Sequence, residues 1–257
     1  VLLICVGQAT RVAEYLTAGQ KVYRAEAQLG TTTDTYDADG AVIATAPVPS
    51  LTADALRLTL ANFVGEIQQR PPAYSAIKQA GEAAYRKARR GETVELPARP
   101  VTIDAIELLI WDQTSARLTL EVTCGPGTYI RSLTHDVGQA LGCGAVLTCL
   151  TRIRSSQFTL EEAVKLDDLA DAVRRGELSR YLHPIETALH KLPRVQVDAD
   201  QITRLIHGQF IPCEAPLVRE TGYAVDADGA VIAILTYDAA VAAWRPNKVF
   251  GATSIDH

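Results

Sequence analysis

C-G-P-G-T-Y-I-R-S-L, residues 124–133, joins a strand pattern to a helix pattern across a Gly-Pro-Gly turn. Upstream, Arg117 to Thr123 alternates Leu118, Leu120 and Val122, the period of a strand with one buried face. Downstream, Leu133, Val137 and Leu141 recur every four residues up to Gly142, which marks a helix end. The chain therefore mixes strands with helices, and Arg131 stands where the two meet, between Ile130 and Leu133. A guanidinium among apolar neighbours is drawn partly out of water and calls for a carboxylate or phosphate partner.

Working outward, K-V-Y-R-A-E-A-Q-L-G at 21–30 places Tyr23, Ala25, Ala27 and Leu29 on one face of a strand that ends at Gly30, after a short helical pattern over Arg11 to Leu16. D-A-D-G-A-V-I-A at 37–44 reads as a hairpin turn, with Asp39-Gly40 supplying the positive-φ residues, followed by a strand. The same eight residues recur at 226–233 with unrelated flanks, which is shared turn chemistry and not a domain repeat. Neither copy is a calcium loop, because Ala46 and Leu235 stand where an EF-hand needs a bidentate glutamate. Thr52 caps a helix that carries Leu56, Leu60 and Phe63 on one face. Pro71 and Pro72 delay any helix to about Ala73, and Gly91 closes a helical pattern over Ala80 to Arg90. Another helix near Asp167 to Arg175 stops at Gly176. Beyond Leu192-Pro193 the pattern turns to short strands, with one helical piece around Gln201 to His207, and this predicts a small β-rich domain packed on the larger one.

Composition narrows the chemistry. With 257 residues and 47% hydrophobic content, the chain can build a real core, and no apolar run approaches the roughly 20 residues of a bilayer span. V-L-L-I-C-V lacks the basic flank of a signal peptide, so a cytoplasmic protein is expected. Its apolar character reads as the inside of an element, which leads us to expect a chain truncated upstream of Val1. Five cysteines (Cys5, Cys124, Cys143, Cys149, Cys213) form no C-x-x-C pair and read as buried thiols of a reducing compartment. Five histidines (His135, His183, His190, His207, His257) form no H-x-x-x-H pair, and no metal is predicted. The net charge of −5 hides a basic segment, since Gln68 to Pro100 holds seven cations against three anions. A basic projection on an acidic body suits selective binding of a polyanion, although a solvated helix face has the same composition. G-P-G-T-Y is neither a P-loop nor a dinucleotide fingerprint, and no G-x-S-x-G elbow is present. Asp34, Asp37 and Asp136 are candidates for carboxylate chemistry, each also readable as a turn former or a solvated helix residue.

Taken together, K-V-Y-R-A-E-A-Q-L-G-T-T-T-D-T-Y-D-A-D-G (21–40), P-P-A-Y-S-A-I-K-Q-A-G-E-A-A-Y-R-K-A-R-R-G (71–91), and C-G-P-G-T-Y-I-R-S-L with L-G-C-G-A-V-L-T-C-L-T-R (to 152) closely resemble the bacterial tRNA pseudouridine synthase B family. The resemblance runs from Val1 to about Leu166, and W-R-P-N-K-V-F at 244–250 resembles that family's PUA-like tail. It implies an α+β pseudouridine synthase fold, a mixed and largely antiparallel sheet flanked by helices, over 1–191. The basic insertion lies within it at about 68–100, and a small PUA-like β-rich domain covers 192–257. It also implies a cofactor-free and metal-free isomerase that converts uridine-55 in the TΨC loop of tRNA to pseudouridine by base flipping and an aspartate nucleophile; a monomer is expected.

By motif, Tyr23 matches the tyrosine that stacks on the flipped base and assists proton transfer. Tyr129 matches a substrate contact, Leu150 a pocket residue whose backbone meets the uracil, and Arg131 the arginine that pairs with the nucleophile. Lys78, Arg86, Lys87, Arg89 and Arg90 are the expected phosphate contacts of the insertion. The family's G-T-L-D-P-x-A-T-G nucleophile motif does not occur in these 257 residues, and neither does the histidine of the same loop. Asp34, Asp37 and Asp39, in the turn, and helical Asp136 are not substitutes for that nucleophile. The expectation is an inactive chain in which Arg131 points into an open cleft beside Tyr23 and Tyr129 with no carboxylate opposite. The competing class is a non-catalytic RNA-binding or tRNA-folding module.

Overall fold

The computed structural model describes residues 1–79, 81–213 and 220–250. Ala80, at the start of the basic helical pattern, and His257 lie outside the described residues. Near the amino end a turn of 3-10 helix (Gly7–Val12) runs into α1 (Ala13–Thr17). Strands β1 (Lys21–Leu29), β2 (Thr31–Thr33), β3 (Val42–Thr45) and β4 (Gly65–Gln69) follow, with α2 (Ala53–Ala61) between β3 and β4. The insertion contributes β5 (Lys78–Gln79), β6 (Glu82–Ala83) and α3 (Ala84–Arg89). Next come β7 (Arg99–Asp112), β8 (Arg117–Cys124), α4 (Ile130–Ala140), β9 (Ala145–Ser155) and β10 (Phe158–Thr159).

Six strands form one antiparallel sheet in the order β10-β9-β1-β8-β7-β4. Its covered face follows the alternation of β1, whose Ala25, Ala27 and Leu29 are buried with Leu118, Leu120 and Val122 of β8. Leu56 and Leu60 of α2 and Leu133 and Val137 of α4 close that core. Thr52 caps α2 by accepting from the Ala55 N–H at 3.1 Å. α4 lies so close to the start of β9 that a Cβ on Gly138 would come within 2.1 Å of the Ala145 nitrogen. Only glycine permits that approach.

The chain divides into two compact units, one of Val1–Leu3 with Ala18–Ala163, the other of Ile4–Thr17 with the residues from Val164 onward. The boundary expected at 191/192 therefore falls inside the second unit. That unit holds α5 (Leu166–Arg174), α6 (Glu186–Leu189), α7 (Ala199–Ile206) and a five-stranded sheet. Its strands are β11 (Arg194–Gln196), β12 (Ile211–Pro212), β13 (Thr221–Val225), β14 (Val231–Asp238) and β15 (Ala243–Val249), in the order β11-β13-β14-β15-β12. Val12, from the segment before α1, packs there with Leu189, Tyr223, Ile234 and Phe250, which explains why residues near the amino end and α6 join the β-rich tail. Trp244 anchors the other cluster with Leu205, Ile211 and Leu235. Among the described residues, no helix is long and apolar enough to cross a membrane.

Two expectations need correction. Cys124 and Cys143 are buried, but Cys5 and Cys213 are half-buried, and Cys149 is exposed because β9 leaves the core after Leu147. The positive φ of the first D-A-D-G turn belongs to Tyr36 (φ 65°), not to Asp39 or Gly40. Gly40 is required for room instead, since a Cβ there would meet Thr35 Oγ1 at 2.2 Å and Asp34 Oδ1 at 2.5 Å.

Candidate active site

Arg131 occupies the first turn of α4, and the segment after β4 wraps that helix start. Tyr129 precedes α4 and gives it no side-chain cap. Gln69 of β4, 1% exposed, supplies the pairing instead. Its Oε1 accepts from the Tyr129 N–H at 2.8 Å, and its Nε2 donates to the Tyr129 carbonyl at 3.1 Å. Ser132 Oγ donates to the Arg70 carbonyl at 2.7 Å. These bonds satisfy polar groups that burial would otherwise penalise, and they fix where the arginine leaves the helix.

The guanidinium itself has three partners. Nη2 donates to the Tyr74 carbonyl at 2.8 Å, and Nη1 donates to the Thr35 carbonyl at 3.3 Å and to Asp37 Oδ2 at 2.9 Å. The expectation of a cleft with no carboxylate opposite Arg131 is thus overturned: Asp37 faces it as an ion pair with both side chains about three-quarters buried. The cause lies in a contact between segments far apart in the chain. Asp37 bridges to Leu147 at the start of β9, with Leu147 N–H donating to Tyr36 O and Ala38 N–H to Leu147 O. The turn, read from sequence as self-contained, is thereby pinned across from α4. The other Asp37 oxygen accepts from Thr35 Oγ1 at 2.6 Å and from the Asp39 N–H at 3.3 Å. A carboxylate engaged on both oxygens is held and oriented but poorly nucleophilic.

A pocket of about 440 Å³ opens here, lined by Thr35, Asp37, Asp39, Arg131, Tyr74, Ser75 and Ala76, and by Tyr85 and Arg89 of α3. That volume suits a nucleoside-sized ligand. Arg86 and Arg89 both lie over the Tyr85 ring, at 5.9 and 5.6 Å from its centroid. Lys78 is exposed on β5 and Lys87 half-buried on α3. Arg90 is committed within the insertion, donating to Glu82 at 2.6 and 2.9 Å and to Glu92 at 2.7 Å. The Arg90 guanidinium holds the Glu82 carboxyl below the usual range.

The remaining candidates are not brought to this pocket. Tyr23 and Leu150 are diagonal neighbours across β1 and β9, where Tyr23 pairs with Arg152 and Ala25 with Leu150. The Tyr129 ring packs under Arg99, 5.3 Å from the guanidinium carbon, and Arg99 Nη2 donates to the Gly127 carbonyl at 2.8 Å. Sequence reading missed Gln69, Tyr74 and Tyr85, and it missed the pairing of Asp37. Of these, Tyr74 and Tyr85 stand in the 71–91 stretch that carries the family resemblance, whereas Gln69 lies just before it.

Behind Arg131 lies a second group of titratable residues. His135, one turn along α4, stacks on Tyr36, and its Nδ1 is buried with no hydrogen-bond partner among the described residues. Burial lowers the His135 pKa and raises that of Tyr36, with Asp136 adding to the latter and Arg70 opposing it. Burial also pushes the Asp136 carboxyl up from 3.8 to about 6. An acid whose pKa is raised by folding holds its proton more tightly when folded. Its contribution to stability is therefore complete below about 3.8 and is lost as pH rises through about 6. Asp136→Asn should stabilise the protein at pH 8 by on the order of 1 kcal/mol, a figure reduced for solvent access, and the gain should vanish by about pH 3. Urea unfolding at the two pH values measures the difference.

Comparison with known proteins adds to this geometry. Residues 1–130 match the sequence model of the TruB family pseudouridylate synthase N-terminal domain, and residues 131–190 match that of the tRNA pseudouridylate synthase B C-terminal domain. The tRNA pseudouridine synthase B of Xanthomonas campestris pv. campestris (strain B100) is 43% identical over 240 residues, covering 93% of this chain and 77% of that protein. Its counterpart from Ralstonia pickettii (strain 12J) is 40% identical over 259 residues, covering 96% and 80%. Among solved structures, a chain of a Cbf5-Nop10-Gar1 complex is similar with a TM-score of 0.70 and 25% identity, covering 96% of this chain and 71% of that one. A chain of an H/ACA RNP bound to a substrate RNA containing 2'-deoxyuridine shares the fold, with a TM-score of 0.70, 22% identity and coverage of 96% and 70%.

Proposed function

The chain belongs to the TruB family of pseudouridylate synthases, and on that footing we propose that it serves the isomerisation of a uridine in tRNA to pseudouridine, at position 55 of the T-arm, as a cytoplasmic monomer. In that reaction the N1–C1′ bond of the uridine breaks, the base turns, a C5–C1′ bond forms, and the C5 proton is lost as N1 gains one. Nothing is oxidised or reduced, so no redox cofactor is called for.

The observation that carries this reading is the placement of Arg131 in a nucleoside-sized pocket that Tyr85 and Arg89 of the cationic helix α3 help to line. A uridine taken out of its stack finds a cation and oriented carbonyls inside, while phosphates on either side meet Arg86, Lys87 and Arg89. Lys78 extends the same grip along β5. Asp37 acts as the holder of Arg131, whose further N–H donors are left for a second carboxylate, that of the nucleophile. Tyr23 and Leu150, neighbours across β1 and β9, and Tyr129 before α4 stand outside the lining of this pocket and would meet the base only where it extends beyond that lining.

The nucleophile is the part of the machinery that these 257 residues do not supply, for they contain no G-T-L-D-P-x-A-T-G stretch. The test uses a T-arm transcript labelled with tritium at uridine C5. The 257-residue chain should bind it without releasing tritium, and the same chain with such a stretch joined ahead of Val1 should release it. Release by the 257-residue chain alone would place the nucleophile within it. Binding without release in both proteins would favour the RNA-folding module over the isomerase.

A further inference from the structure

Two consecutive residues of the 34–41 turn grip two residues of α4. Arg131 and His135 are one helical turn apart and share a face. Asp37 takes the first as an ion pair, and the Tyr36 ring stacks on the second, with centroids 3.9 Å apart and planes inclined by 17°. Tyr36 holds φ at 65°, a region that residues bearing a side chain rarely adopt. Glycine would take that backbone without strain, so a tyrosine there is held by its contacts: the ring stack, the bond of its N–H to the Thr33 carbonyl at 3.3 Å and the bond its carbonyl accepts from Leu147.

The peptide groups on both sides of Tyr36 are occupied. The Thr35 carbonyl accepts from Arg131 Nη1, and the Tyr36 carbonyl accepts from the Leu147 N–H at 3.1 Å. Rotation of Tyr36 to negative φ would swing the first of these off the guanidinium and carry Asp37 with it. We propose that the Tyr36–His135 stack is the latch that keeps the Asp37 carboxylate and the Thr35 carbonyl on Arg131, which makes Tyr36 and His135 positioning residues of the site. Its importance for turnover rests on the isomerase reading, whereas the latch itself is a property of this chain. Two uncharged rings stack best face to face with an offset, and the burial that disfavours charge on both side chains keeps them in that state.

The test reads Arg131 directly, by 15N-resolved guanidinium NMR of the 257-residue chain, assigned through Arg131→Lys. Tyr36→Gly removes the ring and keeps the backbone conformation accessible. Tyr36→Phe and His135→Phe keep a ring at each position, and His135→Ala removes one. Rotation of the Arg131 guanidinium should quicken by roughly tenfold or more in Tyr36→Gly and His135→Ala and stay near the parent rate in the two phenylalanine variants. Melting temperatures of the ring-less variants should fall by no more than about 5 °C, which separates a local release from general loosening. Unchanged Arg131 rotation in Tyr36→Gly overturns the proposal, as does an equal release in Tyr36→Phe, which would assign the role to the hydroxyl. If His135→Ala does not fold, the Tyr36→Gly and His135→Phe pair decides by itself. Because the readout needs no turnover, failure of the isomerase reading leaves it intact. In the chain with the G-T-L-D-P-x-A-T-G stretch joined ahead of Val1, the ring-less variants should lower kcat by roughly tenfold with KM for tRNA unchanged.

Discussion

Arg131→Lys should lower pseudouridine formation by on the order of a thousandfold, with tRNA affinity changed by no more than about threefold. The measurement is tritium release by the chain with the G-T-L-D-P-x-A-T-G stretch joined ahead of Val1, with affinity followed separately by filter binding. The asymmetry follows from geometry. A guanidinium reaches Tyr74 O, Thr35 O and Asp37 Oδ2 at once because its donors lie in a fixed fork. An ammonium on a flexible stem makes one or two of those bonds and loses the orientation of any second carboxylate brought to it. The cations expected to meet phosphate lie on α3 and are untouched, so binding survives. In the 257-residue chain the same change should cost about 2 kcal/mol in urea unfolding, because it leaves a mostly buried Asp37 and two carbonyls incompletely paired. A loss of affinity equal to the loss of rate would mean that Arg131 only binds RNA.

Neutralising Arg86, Lys87 and Arg89 together should reduce the slope of log affinity against log salt by roughly 2 to 3, about 0.7 to 0.9 for each phosphate left without its cation. If the parent and variant affinities converge near 1 M salt, binding at 0.1 M falls by roughly a hundredfold or more. Arg90 is left out of this set because it is paired with both Glu82 and Glu92. Arg90→Gln should leave the slope unchanged while loosening the insertion, since it removes the pairs that tie the end of α3 to Glu82 and Glu92. A slope unaffected by the triple change would remove α3 from the RNA interface.

What the sequence revealed, and what it concealed, follows from where each structural cause lies. α2, α4 and α5 were readable from spacing and from their terminal signals, Thr52 before α2 and Gly142 and Gly176 after the other two. β8 was readable because it alternates cleanly, and β1 because it does so from Tyr23 onward, Val22 lying buried out of phase at a register shift against β9. β7, with 14 residues, and β9, with 11, gave no such signal. Irregular register between Ile103 and Ala105 and between Leu108 and Ile110 shifts the alternation of β7, and similar shifts against β1 disturb β9. The second unit's β-rich character was legible, but not its use of Ile4–Thr17, which depends on a core formed far along the chain.

The repeated octapeptide shows the same limit within the site. In its second copy Gly229 has φ 86° and Asp226 Oδ1 accepts only from the nearby Asp228 and Ala230 N–H groups, a turn that local chemistry explains. In its first copy Gly40 lacks the positive φ and Asp37 reaches Arg131, 94 positions away. Identical residues thus take two conformations, and the difference is set by Leu147 and α4. Arg131 itself was legible as a cation in need of a partner. Its partner's identity was not, because nothing in D-A-D-G distinguishes the copy that faces an arginine from the copy that does not.

Two of the three bonds on Arg131 end on main-chain carbonyls, those of Thr35 and Tyr74. A carbonyl is supplied by whichever amino acid stands there, so position 74 can drift in identity without unseating the arginine, provided the path of the chain persists, whereas position 35 also owes Asp37 the hydroxyl bond described above. The heritable demand then falls on few letters: the arginine, the aspartate opposite, and the residues that shape the two loops. A site assembled in this way is robust to most single replacements around it and brittle to any insertion or deletion that shifts either loop.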